Sequence, residues 1–182
     1  MTPVIVTFTA AAKTLGQQIA RLTGGEFHQL QNRSGAADEF QNWFSDGRPI
    51  IGICAAGILI RLLAPMLSDK HAEPPVVAVS TDGLHVIPLL GGHHGANAFA
   101  KRLATELGAT AAVTTASDSR FAFGLDEPPP GYRLANPQRA KAAMAAVLAG
   151  ESLKISGDAG WLERAGYPVS ACGRVGILIS DR

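Results

Sequence analysis

The feature that most constrains the fold is a repeated alternation between short β-branched runs and segments with apolar residues at helical spacing. Residues 4–8 are apolar and mostly β-branched, as in a strand. Leu15, Ile19 and Leu22 then recur at the spacing of one helix face, and the same order returns between residues 40 and 66. Strands that alternate with helices favour a three-layer α/β domain with a mostly parallel sheet.

One pair of strands should be antiparallel. Residues 76–80 and 85–90 are both strand-like, and Asp82 and Gly83 lie between them. This pair of residues suits a tight turn because glycine accepts a positive φ without steric cost. We therefore expect one β-hairpin within the sheet, followed by a helix that starts near Ala96.

A proline-rich stretch divides the chain. Residues 128–130 are all proline, and the missing amide donors and fixed φ angles exclude regular helix or interior strand there. We predict a first α/β domain over residues 1–125, a linker over residues 126–136, and a second, smaller α/β unit over residues 137–182. This second unit is expected to be short or incomplete.

Composition excludes several classes of protein. The 182 residues are 47% hydrophobic and 17% charged, with a formal net charge of +1, so a broad nucleic-acid surface is not expected. The most apolar run, residues 50–67, contains Arg61 and Pro65 and is not expected to cross a membrane. Two distant cysteines, Cys54 and Cys172, and a start without a leader pattern favour a cytoplasmic protein.

The cysteine loop, residues 54–57, leaves a predicted strand and enters a predicted helix through small residues. Cys54, Ala55, Ala56 and Gly57 would let backbone amides approach a carboxylate or phosphate closely. The glycine spacing does not match a dinucleotide-binding or P-loop pattern. Close packing of helix on strand is an equally good interpretation of these small residues.

The histidine loop, residues 91–97, joins a strand to the N-terminus of the clearest helix. Such a terminus favours anions, and histidines add proton transfer near neutral pH. The loop contains Gly91, Gly92, His93, His94, Gly95 and Asn97. The alternative interpretation is that one ring caps the helix and the other faces solvent. Adjacent histidines diverge, and no zinc spacing is present, so we predict no metal site.

Charged residues cluster at and beyond the end of the helix that is predicted to follow the cysteine loop. Arg61, Asp69, Lys70 and His71 are most simply interpreted as a solvated turn, while Arg61 and Lys70 are also candidates for contact with a substrate. Asp118 follows a predicted strand and is either an active-site carboxylate or a helix cap. Because ligands of such sheets bind at the carboxyl ends of strands, we expect the loops after residues 53, 90 and 115 to form the site.

A long ordered set of short strings carries a resemblance to a known family. These strings are Gly52-Ile53-Cys54-Ala55-Ala56-Gly57-Ile58, Arg61-Leu62-Leu63-Ala64-Pro65, Asp69-Lys70, Pro74-Pro75-Val76-Val77, Asp82-Gly83 and Pro88-Leu89-Leu90-Gly91-Gly92-His93-His94-Gly95-Ala96-Asn97. In that order and at those distances they resemble the N-terminal domain of CbiG, the cobalt-precorrin-5A hydrolase of cobalamin biosynthesis. Residues after about 126 resemble the middle region of that family.

The resemblance implies hydrolytic opening of the δ-lactone of a ring-contracted tetrapyrrole, with loss of a two-carbon unit as acetaldehyde. It implies no cofactor held by the protein, since any cobalt belongs to the substrate. We expect His93 or His94 to activate water or handle protons, and Asn97 with the loop amides to hold the oxyanion or a peripheral carboxylate. The residues expected to contact substrate are Cys54, Ala55, Ala56, Gly57, Arg61, Lys70, Gly91, Gly92, Gly95 and Asp118.

Other functions stay open at the level of sequence. The family usually has a third domain, and some members are fused to a precorrin-3B C17-methyltransferase. The chain could therefore be a hydrolase, or a non-catalytic domain that presents the macrocycle to another enzyme of the corrin pathway. A binding module for an unrelated carboxylate is a third alternative, since a fold does not determine function. The sequence also leaves open whether the chain forms a homodimer.

Overall fold

The computed structural model describes residues 1–31, 33–115, 120–126, 128–129 and 131–180, without the side chains of Arg33, Ser34 and His93. The chain divides into two compact units, Met1–Val113 and Thr114–Arg182. The division therefore comes before the proline-rich stretch that the sequence indicated as the linker. Phe121 and Leu125, which precede the prolines, are buried in the core of the second unit.

The first unit is built as predicted from alternating strands and helices. Its regular elements are β1 (Val4–Thr7), α1 (Lys13–Thr23), β2 (Glu26–Gln29), α2 (Arg33–Ser45), β3 (Ile50–Ile53), α3 (Ala56–Leu63), β4 (Val76–Val79), β5 (His85–Leu90), α4 (Ala96–Leu107) and β6 (Thr110–Ala111). Short 3₁₀ turns at Ala64–Met66 and Gly92–His94 follow α3 and precede α4.

The six strands form one sheet in the order β2-β1-β3-β4-β5-β6. The strands β1, β2, β3 and β4 are parallel, whereas β5 pairs antiparallel with β4, and β6 is parallel to β5. The predicted hairpin and the mostly parallel sheet are thus confirmed. We call the end of the sheet where β1, β3 and β4 start the amino end, and the end where they finish the carboxyl end.

Helices cover both faces of this sheet. Side chains alternate along a strand, so Val4 and Ile50 face one core while Ile5 and Ile51 face the other. The first core contains residues of α2 and α3, and the second contains residues of α1 and α4. All four residues of β1, β3 and β4 are buried, as expected for central strands of a parallel sheet.

Two elements differ from the sequence prediction. The pattern of residues 26–29 did not predict β2, because Glu26, His28 and Gln29 are polar and the strand lies at the margin of the sheet. The strand predicted to precede the loop after residue 115 is only the two-residue β6, Thr110–Ala111. Both strands are short or partly exposed, so apolar periodicity gives little signal for them.

The second unit is a smaller α/β assembly, as predicted. Its elements are α5 (Pro137–Leu148), β7 (Leu153–Ser156), α6 (Gly160–Arg164) and β8 (Val175–Leu178), and β7 pairs parallel with β8. Tyr167 stacks on Phe121 at 4.2 Å between ring centroids and donates its hydroxyl proton to the Phe123 carbonyl. Among the described residues, no helix is long and apolar enough to cross a membrane.

Candidate functional site

The histidine loop is a compact turn held by its own backbone. The amides of His94 and Ala96 both donate to the carbonyl of Gly91, and the Gly95 amide donates to the Gly92 carbonyl. These three amides are therefore occupied. Because loop carbonyls already accept from them, these three amides are not free for an oxyanion, and the role predicted for the rest of the loop stays a prediction.

Gly91 is required where it stands. Its φ of +73° lies in the left-handed region, and it is buried against the chain that leads into β4. A Cβ on Gly91 would collide with the carbonyl of Pro74 and lie 2.6 Å from the nitrogen of Pro75. This close approach brings the histidine loop against the segment that precedes β4, at the amino end of the sheet.

His94 is exposed, and its ring is held by a neighbouring segment. Its Nε2 lies 2.7 Å from the main-chain carbonyl oxygen of His71. His71 belongs to a turn in which its own amide donates to Asp69 Oδ1 at 2.9 Å and the Ala72 amide donates to the Asp69 carbonyl at 2.9 Å. The exposed Lys70 is part of the same turn. We call residues 69–72 the positioning turn.

Asn97, the other predicted catalytic side chain, lies in the first turn of α4 and is only 9% exposed. A side chain this deeply buried is engaged mainly with the protein, whereas a group that binds an oxyanion has to reach the reacting carbonyl. The role predicted for Asn97 stays a prediction. The side chain of His93 and the whole of Asp118 lie outside the described residues.

The cysteine loop lies at the opposite end of the sheet. Cys54 follows β3 directly and is 8% exposed, while Ala55 is exposed and caps the start of α3 with an extended backbone. Within the described part of the chain, no side-chain hydrogen bond caps this helix start. The start of α3 thus offers main-chain donors and small side chains, as the sequence indicated.

Arg61 belongs with the cysteine loop rather than with the histidine loop. Its Nη1 donates to the Gly57 carbonyl at 2.8 Å, one helical turn back along α3. The guanidinium therefore lies toward the carboxyl end, and a Cβ on Gly57 would meet it at 2.8 Å. Arg61 is exposed and supplies a positive charge close to the start of α3.

The predicted site residues therefore form two sets, at opposite ends of the sheet. The register aligns Ile50 with Val76 and Leu90, and it aligns Ile53 with Val79 and Val86. Three residues of strand, about 10 Å, lie between these two levels. The expectation that the loops after residues 53 and 90 form one site at the carboxyl ends was wrong, because β5 runs antiparallel to β3.

The hairpin tip is the third notable feature, and it lies at the carboxyl end. Asp82 accepts hydrogen bonds from the Ser80 hydroxyl and from the Leu84 amide. These two donors, with a smaller contribution from His85, hold the pKa of Asp82 below its usual range. The arrangement is a side-chain-stabilised turn and resembles no nucleophile with its base.

Sequence reasoning underrated the positioning turn. The sequence pattern favours an ordinary solvated turn there, with a substrate contact predicted for Lys70 and no role for Asp69 or His71. The aspartate two residues before His71 is typical of a turn in which the side chain caps the backbone. The sequence therefore shows the turn, but it does not show the contact of the His71 carbonyl with His94, 23 positions further along the chain.

Comparisons with known proteins point to one family. Residues 38–118 match the family model described as cobalamin synthesis G N-terminal. A cobalt-precorrin-5A hydrolase of Salmonella typhimurium is 43% identical over 93 residues, which are 50% of this chain and 26% of the relative. One of Priestia megaterium is 37% identical over 84 residues, which are 46% of this chain and 22% of the relative.

The chain thus spans about a quarter of the length of these two curated relatives. Among solved structures, a cobalamin biosynthesis protein G homolog from Sulfolobus solfataricus has a TM-score of 0.51 and 22% sequence identity. The likeness covers 87% of this chain and 49% of that one. At this identity the likeness supports the fold alone.

Proposed function

We propose that this chain acts in cobalamin biosynthesis, on the premise that residues 38–118 belong to the cobalamin synthesis G N-terminal family. The proposed reaction is hydrolytic opening of the δ-lactone of cobalt-precorrin-5A, or of its metal-free counterpart, with release of acetaldehyde. Two curated relatives that match this chain are named for hydrolysis of cobalt-precorrin-5A.

One observation in the structure carries the proposal: an exposed histidine held at the start of a helix by a hydrogen bond to a neighbouring turn. Lactone hydrolysis needs a base that takes a proton from water. His94 is reachable from solvent, and the bond to the His71 carbonyl fixes its orientation. The N-terminal end of α4 beside it favours the negative charge that develops on the attacked carbonyl.

The proposed substrate is an anionic tetrapyrrole, and any cobalt in the reaction is part of it. A tetrapyrrole intermediate with peripheral carboxylates suits the exposed Lys70 next to His71, and cobalt enters as part of the substrate. We propose no cofactor resident in this chain. We propose the cytoplasm as the compartment, and other enzymes of the corrin pathway as the proteins that it meets.

The direct test is an acetaldehyde assay on the purified 182-residue chain with cobalt-precorrin-5A. The absorbance of the macrocycle reports binding, and trapped acetaldehyde reports turnover. Binding together with acetaldehyde release is the expected result. Binding without release would replace the hydrolase by a non-catalytic tetrapyrrole-binding domain, and the absence of both would overturn the proposal.

A double substitution tests the histidine loop as a whole. His93→Ala with His94→Ala should abolish acetaldehyde release while the far-ultraviolet circular dichroism stays that of the unaltered chain. Unchanged release from this variant would remove the loop from the mechanism. The matched control is His85→Ala, because His85 is exposed at the start of β5, the strand that ends at the histidine loop.

A further inference from the structure

The hydrogen bond between His94 and the positioning turn determines which nitrogen of the ring carries the proton. A main-chain carbonyl oxygen can only accept a hydrogen bond. Because Nε2 of His94 lies 2.7 Å from the His71 oxygen, the proton of the neutral ring belongs on Nε2. Nδ1 is then the unprotonated nitrogen, and it is the atom able to take a proton.

The direction of the His71 carbonyl is itself fixed. That carbonyl and the Ala72 amide belong to one planar trans peptide unit, so they point in opposite directions. The Ala72 amide donates to the Asp69 carbonyl at 2.9 Å, within the turn. The His71 oxygen therefore points out of the turn, toward His94.

Asp69 fixes the neighbouring peptide unit as well. Its Oδ1 accepts from the His71 amide at 2.9 Å. One residue thus restrains both peptide units of His71, through its side chain on one and its carbonyl on the other. Charged acceptors form stronger hydrogen bonds than neutral ones, so the carboxylate is well suited to this task.

We propose that Asp69 is a positioning residue, which acts through the His71 carbonyl to keep His94 in the tautomer whose Nδ1 is the proton acceptor. The inference rests on the proposed function for its catalytic meaning. Nδ1 takes a proton from water, and the water oxygen bonds to the lactone carbonyl carbon. The ring C–O bond then breaks, and the proton passes from Nδ1 to the departing oxygen. The hydrogen bond from Nε2 to His71 stabilises the ring while it is positively charged.

Nitrogen-15 NMR of the histidine rings tests the tautomer without any substrate. In the unaltered chain, at a pH where the His94 ring is neutral, we expect its one N–H proton on Nε2. Asp69→Ala should give a mixture of the two tautomers, and Asp69→Asn, which keeps an Oδ1 acceptor, should restore the single tautomer. A proton on Nδ1 in the unaltered chain, or an unchanged tautomer in Asp69→Ala, would overturn the inference.

Kinetics test the consequence. Asp69→Ala should lower kcat for acetaldehyde release about tenfold with KM nearly unchanged, as expected when the partner that orients an imidazole is lost. Asp69→Asn should recover most of the rate. Asp46→Ala, an exposed aspartate after α2, is the control and should leave both constants unchanged. Equal kcat values for Asp69→Ala and the unaltered chain would refute the role of Asp69.

The two readouts separate the two proposals. If the tautomers behave as expected and the unaltered chain releases no acetaldehyde, the proposed function fails while the positioning by Asp69 stands. If acetaldehyde is released and the tautomers do not respond to Asp69, the function stands and the positioning fails. Asp69 is exposed, so its substitution should cost little stability, and circular dichroism of each variant checks this.

Discussion

The two ends of the central sheet carry similar loops and differ in what surrounds them. At each end, a strand leads through small residues into a helix. At the carboxyl end, the cysteine loop has a buried thiol and a guanidinium folded back on Gly57. At the amino end, the histidine loop packs against another segment, whose carbonyl accepts from an exposed imidazole. Among the described residues, the imidazole held by the carbonyl of a neighbouring segment lies at the amino end.

This difference shows how chain direction decides the composition of a site. The cysteine loop and the histidine loop lie at opposite ends of the sheet, because the hairpin reverses β5. The loop that follows β5 therefore meets the residues that precede β4. Matched substitutions at the two ends test this division.

The largest effect should come from replacing His94, which follows β5, and the matched control replaces His85, at the start of β5. His94→Gln keeps a donor near the Nε2 position and removes the proton acceptor, so acetaldehyde release should fall by about 10² to 10⁴. His85→Gln, at the carboxyl end, should release acetaldehyde at the rate of the unaltered chain. A comparable loss of acetaldehyde release in both variants would show that the reaction does not depend on the amino end in particular.

The next effect concerns stability at the amino end. Gly91→Ala adds left-handed strain and a collision with Pro74, so the free energy of unfolding should fall by about 2–4 kcal/mol. Gly95→Ala has the same kind of strain, with a φ of +82°, but open space around the new methyl group. It should lose only about 1–2 kcal/mol. Urea unfolding measures both, and equal losses would argue against the close approach at Gly91.

A smaller effect should separate two cations. Lys70→Ala, in the positioning turn, should raise KM about two- to fivefold, which corresponds to the loss of one exposed ion pair. Arg61→Ala, in the last turn of α3, should raise KM less, because its guanidinium reaches back to the Gly57 carbonyl, toward the carboxyl end. An equal or larger rise for Arg61→Ala would mean that the macrocycle is also held there.

The smallest effect should appear at the hairpin tip in acid. The pKa of Asp82 is lowered by the Ser80 hydroxyl, so its contribution to stability is present above the ordinary aspartate pKa and is lost as pH falls through the lowered value. Asp82→Asn should therefore be less stable than the unaltered chain at pH 7. The difference should shrink below pH 3.8, the ordinary value, in urea unfolding at each pH. A difference that is independent of pH would exclude this origin.

Much of the fold was accessible from local pattern. The β-branched runs and the helical stripe of α4 predicted their elements, because burial of one face leaves a periodic mark in the sequence. The polar strand β2 and the two-residue β6 left no such mark. The boundary between the units could not be predicted from the prolines either. Phe121 and Leu125 precede the prolines in sequence, but they pack in one core with residues that follow the prolines.

The site was accessible only in part. The histidine loop was recognisable as a strand-to-helix connection with titratable side chains, and its glycines matched a known family. The role of Asp69 was not recognisable, because a hydrogen bond to a backbone carbonyl depends on geometry and hardly at all on the identity of the residue that supplies it. Any residue at position 71 would present a carbonyl there.

Local sequence pattern was enough to indicate the central strands, most of the helices, the hairpin and the chemical groups of both loops, since each depends on neighbours within a few residues. Which loops meet depends instead on the tertiary fold. The antiparallel pairing of β5 with β4 carries the histidine loop to the amino end of the sheet, one strand length from the cysteine loop. Long-range pairing of this kind brings His94 to the His71 carbonyl and so determines which nitrogen can accept a proton.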